Sequence, residues 1–413
     1  MLCLRLSKRV ILLSVSILAL AVCPILKAQV PLLSSSPGQT VRMLPTDWAV
    51  LETQEPRTDL PCLVNPVKPV VGFDMRFHAG YEISVPLREL AGASNSLTII
   101  FRVTPEDRSE QPYYFVQRTR VPDIEPDASG EANLQGVFDL GEGRYHVDWL
   151  MRDHADRLCS FYWDAEAILA ARDRQLGMTI APETVEPADT EPFREEPPVE
   201  RAQGEPPLNV KILLNFAPPN ASSAVLQPPD TLALVSILRS IAREPRVGKF
   251  SLVAFNLQEQ RVFYRQENAN RIDFPALGQA LGSLRLGTVD VQRLSHKNGE
   301  TDFLANLIQQ ELGGRDHPDA LVFAGPKAML EEEVPRDSLK EVGDIEYPVF
   351  YMNYNLAPQN SPWRDAIGRT VRFFRGSEFT ISRPRDLWAA TSDMIARIVK
   401  FRSSRRTAST AAR

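Results

Sequence analysis

A proline-rich acidic stretch, residues 181–207, most constrains how this chain of 413 residues can fold. The stretch contains seven prolines and eight acidic residues but only two arginines. A segment of this composition buries too little apolar surface to fold by itself, and its like charges extend it. We therefore predict that it is a linker between two separately folded domains.

Before this stretch, between residues 67 and 166, short apolar runs alternate with turn signals. In the run Arg144–Met151, for example, every second side chain is large and apolar, beginning with Tyr145. Alternation with a period of two places these side chains on one face of a strand. Several such runs over about 100 residues are typical of an antiparallel β-sandwich.

After this stretch the hydrophobic period changes. Leu208–Phe216 is almost continuously apolar, as expected of a strand that is covered on both faces. Asp230 precedes apolar side chains at helical spacing, and strands alternate with helices as far as residue 401. This order predicts a doubly wound, Rossmann-type α/β domain. The predicted fold class is therefore multidomain, with an N-terminal β-sandwich and a C-terminal α/β domain.

The N-terminus has the pattern of an export signal. Arg5, Lys8 and Arg9 precede an apolar stretch, and Leu26–Ala28 completes a cleavage site. We predict a secreted, periplasmic or envelope protein, cleaved after Ala28. An uncleaved anchor and lipidation at Cys23 are the alternatives, and no other segment is predicted to span a membrane.

The predicted organisation has six parts, and the fourth includes a short helix over Ala165–Gln175. The parts are a signal peptide (1–28), an irregular tether (29–66), the β-sandwich (67–166), the short helix and acidic linker (167–207), the α/β domain (208–401) and a basic disordered tail (402–413).

Two cysteines, Cys62 and Cys159, follow the signal segment. A cysteine pair in an exported protein is typical of a disulfide, and no CxxC spacing indicates a metal site. We therefore predict a bridge that fastens the entry of the β-sandwich to its exit. Two buried free thiols are the alternative.

Composition and motifs restrict the possible activities. The chain has 47 Lys and Arg against 52 Asp and Glu, a formal charge of −5, which disfavours nucleic-acid binding as its main function. It contains no GxSxG, GxxxxGK[ST] or HExxH motif. We therefore expect no cofactor, and we favour a non-catalytic protein while leaving enzymatic activity open.

The densest cluster of possible metal ligands is His146, Asp148, Asp153 and His154. Imidazole and carboxylate groups can hold a transition metal, so ligation is conceivable. However, His146 and Asp148 share the strand face that the pattern predicts to be solvated. The sequence therefore favours an ordinary solvated face over a metal site.

Three strands of the α/β domain are predicted to end on an asparagine, namely Asn215, Asn256 and Asn353, and Lys327 follows a fourth strand. Ligands bind beyond the carboxyl ends of the strands in such sheets. An amide-lined edge could hydrogen-bond a peptide or a sugar. The alternative is that these asparagines only cap strand ends and turns.

Residues 208–401 resemble a von Willebrand factor type A domain. The resemblance depends on the order of the elements, on the helix-opening loop Asn298–Leu304 and on the strand Leu321–Ala324. The family's metal-ion-dependent adhesion site has a DxSxS motif after the first strand, a threonine on a second loop and an aspartate after the fourth strand. The DxSxS positions correspond here to Asn215-Phe216-Ala217-Pro218-Pro219, the threonine to Thr301 and the aspartate to Ala324.

Both carboxylates and both serines of that site are thus replaced, and neutral amides are poor substitutes for a magnesium ion. Thr301 is explained as a helix N-cap. We expect a metal-independent domain that binds a protein partner. Its candidate rim is Asn215, Ala217, Asn256, Thr301, Lys327 and Asn353. The alternatives are a residual metal site that uses Glu300 or Asp302, and an envelope hydrolase whose site the sequence does not reveal.

Overall fold

A computed structural model describes residues 30–31, 43–92, 95–188, 191–203, 206–219, 226–283, 298–314, 317–328, 330, 332–356 and 365–411. The predicted signal peptide, residues 1–28, lies outside these residues. Among the described helices, none combines the length and the apolar character of a membrane-spanning helix. The chain divides into two compact units. The first includes residues from Met1–Val70, His78–Ile168 and Ile180–Ala188, and the second from Val71–Phe77, Leu169–Thr179 and Asp189–Arg413.

The first unit contains two β-sheets. One has the strand order β1-β5-β4-β7-β8 and the other β2-β3-β6-β9. The pairs β1–β5, β4–β5, β4–β7, β7–β8 and β6–β9 are antiparallel. The elements are β1 (Val30–Pro31), α1 (Pro45–Thr53), β2 (Leu63–Val71), β3 (Phe77–Pro86), β4 (Ser96–Pro105), β5 (Tyr113–Arg120), β6 (Glu131–Leu140), β7 (Gly143–Arg152), β8 (Leu158–Ala167) and β9 (Val185–Pro187).

Buried aromatic side chains join these two sheets. Tyr81 of β3 lies edge-on to Phe101 of β4 and to Trp149 of β7, with ring centroids 5.5 Å apart in both pairs. Phe138 of β6 lies 5.4 Å from Phe101. Rings of this size account for much of the apolar area that a small core can bury. The arrangement agrees with the predicted antiparallel β-sandwich.

The predicted disulfide between Cys62 and Cys159 is confirmed, with the two Cα atoms 6.4 Å apart. Cys62 immediately precedes β2, and Cys159 lies at the start of β8. Because 97 positions separate them in sequence, the bond closes nearly the whole sandwich into a loop.

The second unit is built on one six-stranded mixed sheet of order β12-β11-β10-β13-β14-β15. β12 pairs antiparallel with β11, and the other four pairs are parallel. The elements are β10 (Leu208–Asn215), α2 (Pro228–Ala242), β11 (Val247–Asn256), β12 (Arg261–Ala269), α3 (Phe274–Gly282), α4 (Gly299–Leu312), β13 (Ala320–Gly325), α5 (Arg336–Lys340), β14 (Val349–Tyr354), α6 (Ala366–Phe373), β15 (Ser377–Ile381) and α7 (Pro384–Ala411).

Helices cover both faces of this sheet, which explains the continuous apolar run of β10. Ile212 and Leu214 belong to a core that includes Leu238 of α2. Leu213, which points to the opposite face, belongs to a second core with Ile308 of α4. Strands buried on both faces are expected in doubly wound α/β folds.

The structure differs from the predicted linker at residues 167–207. β9 adds to the second sheet of the sandwich, and no α-helix forms over Ala165–Gln175, where β8 continues to Ala167. Further along, the Glu196 carboxylate lies 2.6 Å from Arg239 Nε and 2.7 Å from Arg243 Nε, and it is almost buried. Arginines of α2, which are distant in sequence, thus neutralise part of the acidic charge of this stretch.

Two other segments predicted to be irregular contain helices. α1 and the start of β2 fall within the tether predicted for residues 29–66. α7 continues through the predicted disordered tail as far as Ala411. Arg405 of this extension bonds to the carboxylate of Glu346, so its positive charge is used in an ion pair within the unit.

We expect the disulfide to be a large part of the stability of the sandwich. Replacing half-buried Cys62 by serine opens a loop of 97 positions, so the free energy of unfolding should fall by up to about 4.7 kcal/mol. Urea denaturation of the full chain measures this loss. Wild-type protein under reducing conditions is the control and should lose a similar amount, whereas unchanged stability in both samples contradicts the prediction.

The adjacent residues Glu195 and Glu196 offer a matched pair of substitutions. Glu196→Gln leaves two arginines without their carboxylate and should cost about 3–5 kcal/mol of unfolding free energy. Glu195→Gln breaks only an exposed pair with Arg271 and should cost about 1 kcal/mol or less.

Trypsin can report on the same pair of variants through cleavage after Arg194 and Arg201. We expect faster cleavage there in Glu196→Gln but not in Glu195→Gln. Equal cleavage rates in the two variants would show that the Glu196 ion pairs do not hold the segment.

Candidate functional site

The carboxyl ends of the parallel strands bring three predicted rim residues to one edge of the sheet. Asn215 ends β10, Asn256 ends β11 and Asn353 lies near the end of β14. All three side chains are buried. β10 has β11 on one side and β13 on the other. The chain therefore adds strands first in one direction from β10 and then in the other, and the strand order reverses between β10 and β13. This reversal is the position at which doubly wound folds bind ligands.

Gly325 occupies the space between Asn215 and Asn353. It pairs in register with Asn353, and its φ of +155° is one that side chains rarely adopt. A Cβ atom at this position would lie 2.8 Å from Cβ of Asn215 and 3.1 Å from its carbonyl oxygen. A glycine is therefore needed for the backbones of β10 and β13 to approach this closely.

The amides of Asn215 and Asn256 hold the turns that follow their strands. Asn215 Oδ1 accepts hydrogen bonds from the backbone N–H groups of Ala217, at 3.1 Å, and Leu257, at 3.3 Å. Asn256 donates to the carbonyl of Phe216 at 3.3 Å and accepts from the backbone N–H of Glu259 at 3.0 Å. Both asparagines thus make the turn-capping contacts given as the alternative interpretation.

Carboxylates near Asn353 are also occupied by hydrogen bonds. Asn353 Nδ2 donates to Glu378 at 2.9 Å. Asp365 accepts from the Tyr351 hydroxyl at 2.7 Å and from the backbone N–H groups of Ala328 and Gly368. Burial raises the pKa of Asp365, although these hydrogen bonds oppose the rise. The donors that surround Asp365 fix the start of α6.

Thr301 does not have the predicted role of helix cap. α4 begins at Gly299 with Asn298 as its N-cap, so Thr301 lies in the first turn. Its hydroxyl donates to the carbonyl of Glu332 at 3.2 Å, in the segment after β13. Lys327 is half-exposed in the same segment. The Thr301 hydroxyl is thus directed to the segment after β13 and not to one of the three asparagines.

The residues at this edge do not fit a magnesium site. Asn215 Oδ1, which stands in place of the first aspartate, already accepts two backbone N–H groups, and Ala217 offers no ligand atom. The Thr301 hydroxyl is directed to a backbone carbonyl. Glu300 and Asp302 are the acidic residues of the first turn of α4, and Asp302 is exposed. Magnesium takes carboxylate and water oxygens in octahedral geometry, and this set does not supply them.

The His146 cluster on the sandwich is not the solvated face that the sequence predicted. α1 packs over β7, and Asp148 is only 1% exposed. Arg102 Nε and Gln54 Nε2 each donate to Asp148 at 2.8 Å, and Arg102 also bonds to Glu52 of α1 at 2.7 Å. The cluster therefore fastens α1 to the sheet.

Both ring nitrogens of His146 face carboxylates. Nδ1 lies 2.7 Å from Asp164, and Nε2 lies 3.3 Å from Asp148. The hydrogen bonds that the imidazolium donates to Asp148 and Asp164 raise the pKa of His146 to about 9 even though partial burial lowers it. Burial would raise the pKa of Asp148, but hydrogen bonds from His146 and Arg102 hold it below its usual value. At neutral pH His146 is therefore protonated and cannot act as a general base.

The other two members of the predicted cluster lie elsewhere. Asp153 binds Arg157 at 2.8 Å in the turn after β7, and His154 pairs with Asn95 at 2.7 Å. Sequence spacing suggested one cluster because Asp153 and His154, in the turn after β7, lie only a few residues from His146 and Asp148 in the chain. Gln54 and Glu52 were not predicted to belong to the cluster, because the segment that carries them was assigned to the tether.

Comparison with known proteins identifies no family for this chain. No protein-family model and no curated protein sequence matches it. A PilB minor pilin from Streptococcus sanguinis is 7% identical over 73% of this chain and 87% of its own, with a TM-score of 0.27. A glycosyl hydrolase family 2 member from Bacteroides cellulosilyticus is 9% identical over 78% and 45%, with a TM-score of 0.18. A Bacteroides uniformis beta-glucuronidase is 10% identical over 73% and 39%, with a TM-score of 0.19. Similarities this weak carry no argument about function.

The raised pKa of His146 predicts a pH dependence of stability. Because the folded pKa of about 9 exceeds the unfolded value of about 6.5, the stabilisation is complete below pH 6.5 and is lost as the pH rises through 9. We expect urea denaturation of the wild type to show this loss between the two values.

His146→Gln should abolish that part of the pH dependence. His154→Gln, a substitution of the same type in the same unit, should retain it. The same pH profile in the wild type and in His146→Gln would contradict the assignment.

Proposed function

We propose that this chain is an exported, non-catalytic protein whose α/β unit recognises another protein without a metal ion. The observation that carries the proposal is the β10–β13 reversal, where Asn215 and Ala324 stand at the two carboxylate positions of the metal site, and Asn256 and Asn353 add further amides at the same edge. The three asparagines are buried and support the turns and strand ends of this edge, so a partner would contact the loops that they hold, including the segment that carries half-exposed Lys327.

The sheet topology supports a resemblance to von Willebrand factor type A domains. β10 is central, an antiparallel strand, β12, lies at one edge, and α4 begins at the loop that the sequence comparison singled out. No protein-family model matches the chain, so the resemblance is part of the proposal.

Export is supported by the bond between Cys62 and Cys159. Disulfides persist in oxidising compartments and are rare in the cytosol. The bond therefore agrees with the signal-like N-terminus, and we place the protein outside the cytoplasm, secreted or in the cell envelope.

The hydrolase alternative would need a free base beside a nucleophile or a water molecule. His146, Asp148 and Arg102 form a group of interacting titratable residues in the sandwich, but each is bonded to another or to α1. Their contacts are those of a structural ion-pair network, which also perturbs pKa values. We therefore favour recognition over hydrolysis.

Site-specific photo-crosslinking tests the proposed recognition edge. A photoreactive amino acid in place of Lys327, after β13, should form an adduct with a defined protein when the full chain is incubated with the envelope fraction of its source cells. Lys249 is the matched control, because it is exposed near the amino end of β11, at the opposite edge of the same sheet. The Lys249 position should not form this adduct, and equal adducts from both positions, or none, would contradict the proposal.

Metal independence is tested in the same experiment. The Lys327 adduct should form equally with EDTA and with added Mg²⁺, and calorimetry with Mg²⁺ or Mn²⁺ should show no binding heat. An adduct lost in EDTA, or a binding heat abolished by Thr301→Ala, would favour a metal-dependent adhesion site instead.

A further inference from the structure

A cavity of about 250 Å³ lies in the second unit, away from the proposed recognition edge. α2 contributes Ser236 and Ser240 to its wall, and α7 contributes Trp388, Thr391 and Ser392. The two helices meet beside the cavity, where the hydroxyls of Ser240 and Thr391 are 3.0 Å apart. None of the rim residues of the recognition edge lines it, so its function does not depend on the function proposed above.

Ser236 is the residue that points to a ligand. It is 2% exposed, and its hydroxyl has no hydrogen-bond partner among the described residues. A buried hydroxyl that makes no hydrogen bond is unfavourable, so native structures nearly always satisfy it. A ligand hydroxyl in the cavity would provide the missing partner.

The charges around the cavity disfavour an ionic ligand. Arg239 and Arg243 line it, but Glu196 bonds to both of them. Two further carboxylates, those of Asp74 and Glu244, also line it. Arg246 in turn pairs with Glu244 at 2.6 Å, so three arginines face three carboxylates around the cavity, and the wall offers both donors and acceptors to a neutral polar molecule.

Trp388 gives the cavity an apolar, aromatic wall. The side chain is half-buried, one turn before Thr391 and Ser392 on α7. An indole ring can cover the apolar C–H face of a flat ligand while neighbouring hydroxyls bind its polar edge. The cavity is also smaller than the roughly 300–1,000 Å³ of drug-sized pockets, so it fits one ring and not a chain.

We propose that this cavity binds a single neutral sugar ring of hexose size. Trp388 covers one face of the ring, and the hydroxyls of Ser236, Thr391 and Ser392 hydrogen-bond to its hydroxyl groups.

Saturation-transfer NMR of the full chain with D-glucose, D-galactose and N-acetyl-D-glucosamine tests the proposal. At least one of these sugars should bind. Trp388→Ala should weaken its binding by about tenfold. Ser236→Ala, which removes only one hydroxyl and should fold normally, should weaken it by about fivefold.

Trp48→Ala is the control, because Trp48 is exposed on the first unit and should not affect sugar binding. Absence of binding by all three sugars overturns the proposal, as does unchanged affinity in both Trp388→Ala and Ser236→Ala. Displacement of the bound sugar by phosphate or acetate also overturns it, since the arginines would then define an anion site.

Discussion

The ion pairs of Glu196 with Arg239 and Arg243 are the interaction on which much of the second unit depends. They bring a proline-rich acidic segment against α2. Phe193 of the same segment packs beside Gly278 of α3. A charge this well buried is tolerated only because its partners are fixed in place. The same contacts position two arginines at the wall of the cavity beside α7. The segment that was predicted to be a linker therefore helps to shape the proposed sugar site.

At the carboxyl edge of the sheet, structural and functional demands compete for the same atoms. Asn215 uses its side-chain oxygen to hold two turns, and Gly325 lets β13 come close enough to leave no room for a ligand atom between the strands. A carboxylate at position 215 could accept the same hydrogen bonds, but it would carry an unneutralised charge into a fully buried position. The neutral amide is therefore consistent with an edge that needs no cation.

Much of the fold could be predicted from the sequence, because apolar periodicity reflects burial directly. The strands β10 and β13 could be predicted because both of their faces are covered, which makes their sequences continuously apolar. The disulfide could be predicted because only two cysteines follow the signal segment. The errors arose where a partner is distant in sequence. Neither the arginines that neutralise Glu196 nor the helix α1 that covers Asp148 can be recognised from local composition.

The bond between Cys62 and Cys159 also makes the sandwich a covalent ring. The exposed segment 122–130, between β5 and β6, lies inside that ring. If a protease outside the cell cuts there, the two fragments stay attached to each other, and the sheets keep both halves of their core. Damage at this position thus becomes a nick in one molecule instead of a separation into two, and the rest of the chain stays connected to its N-terminal portion.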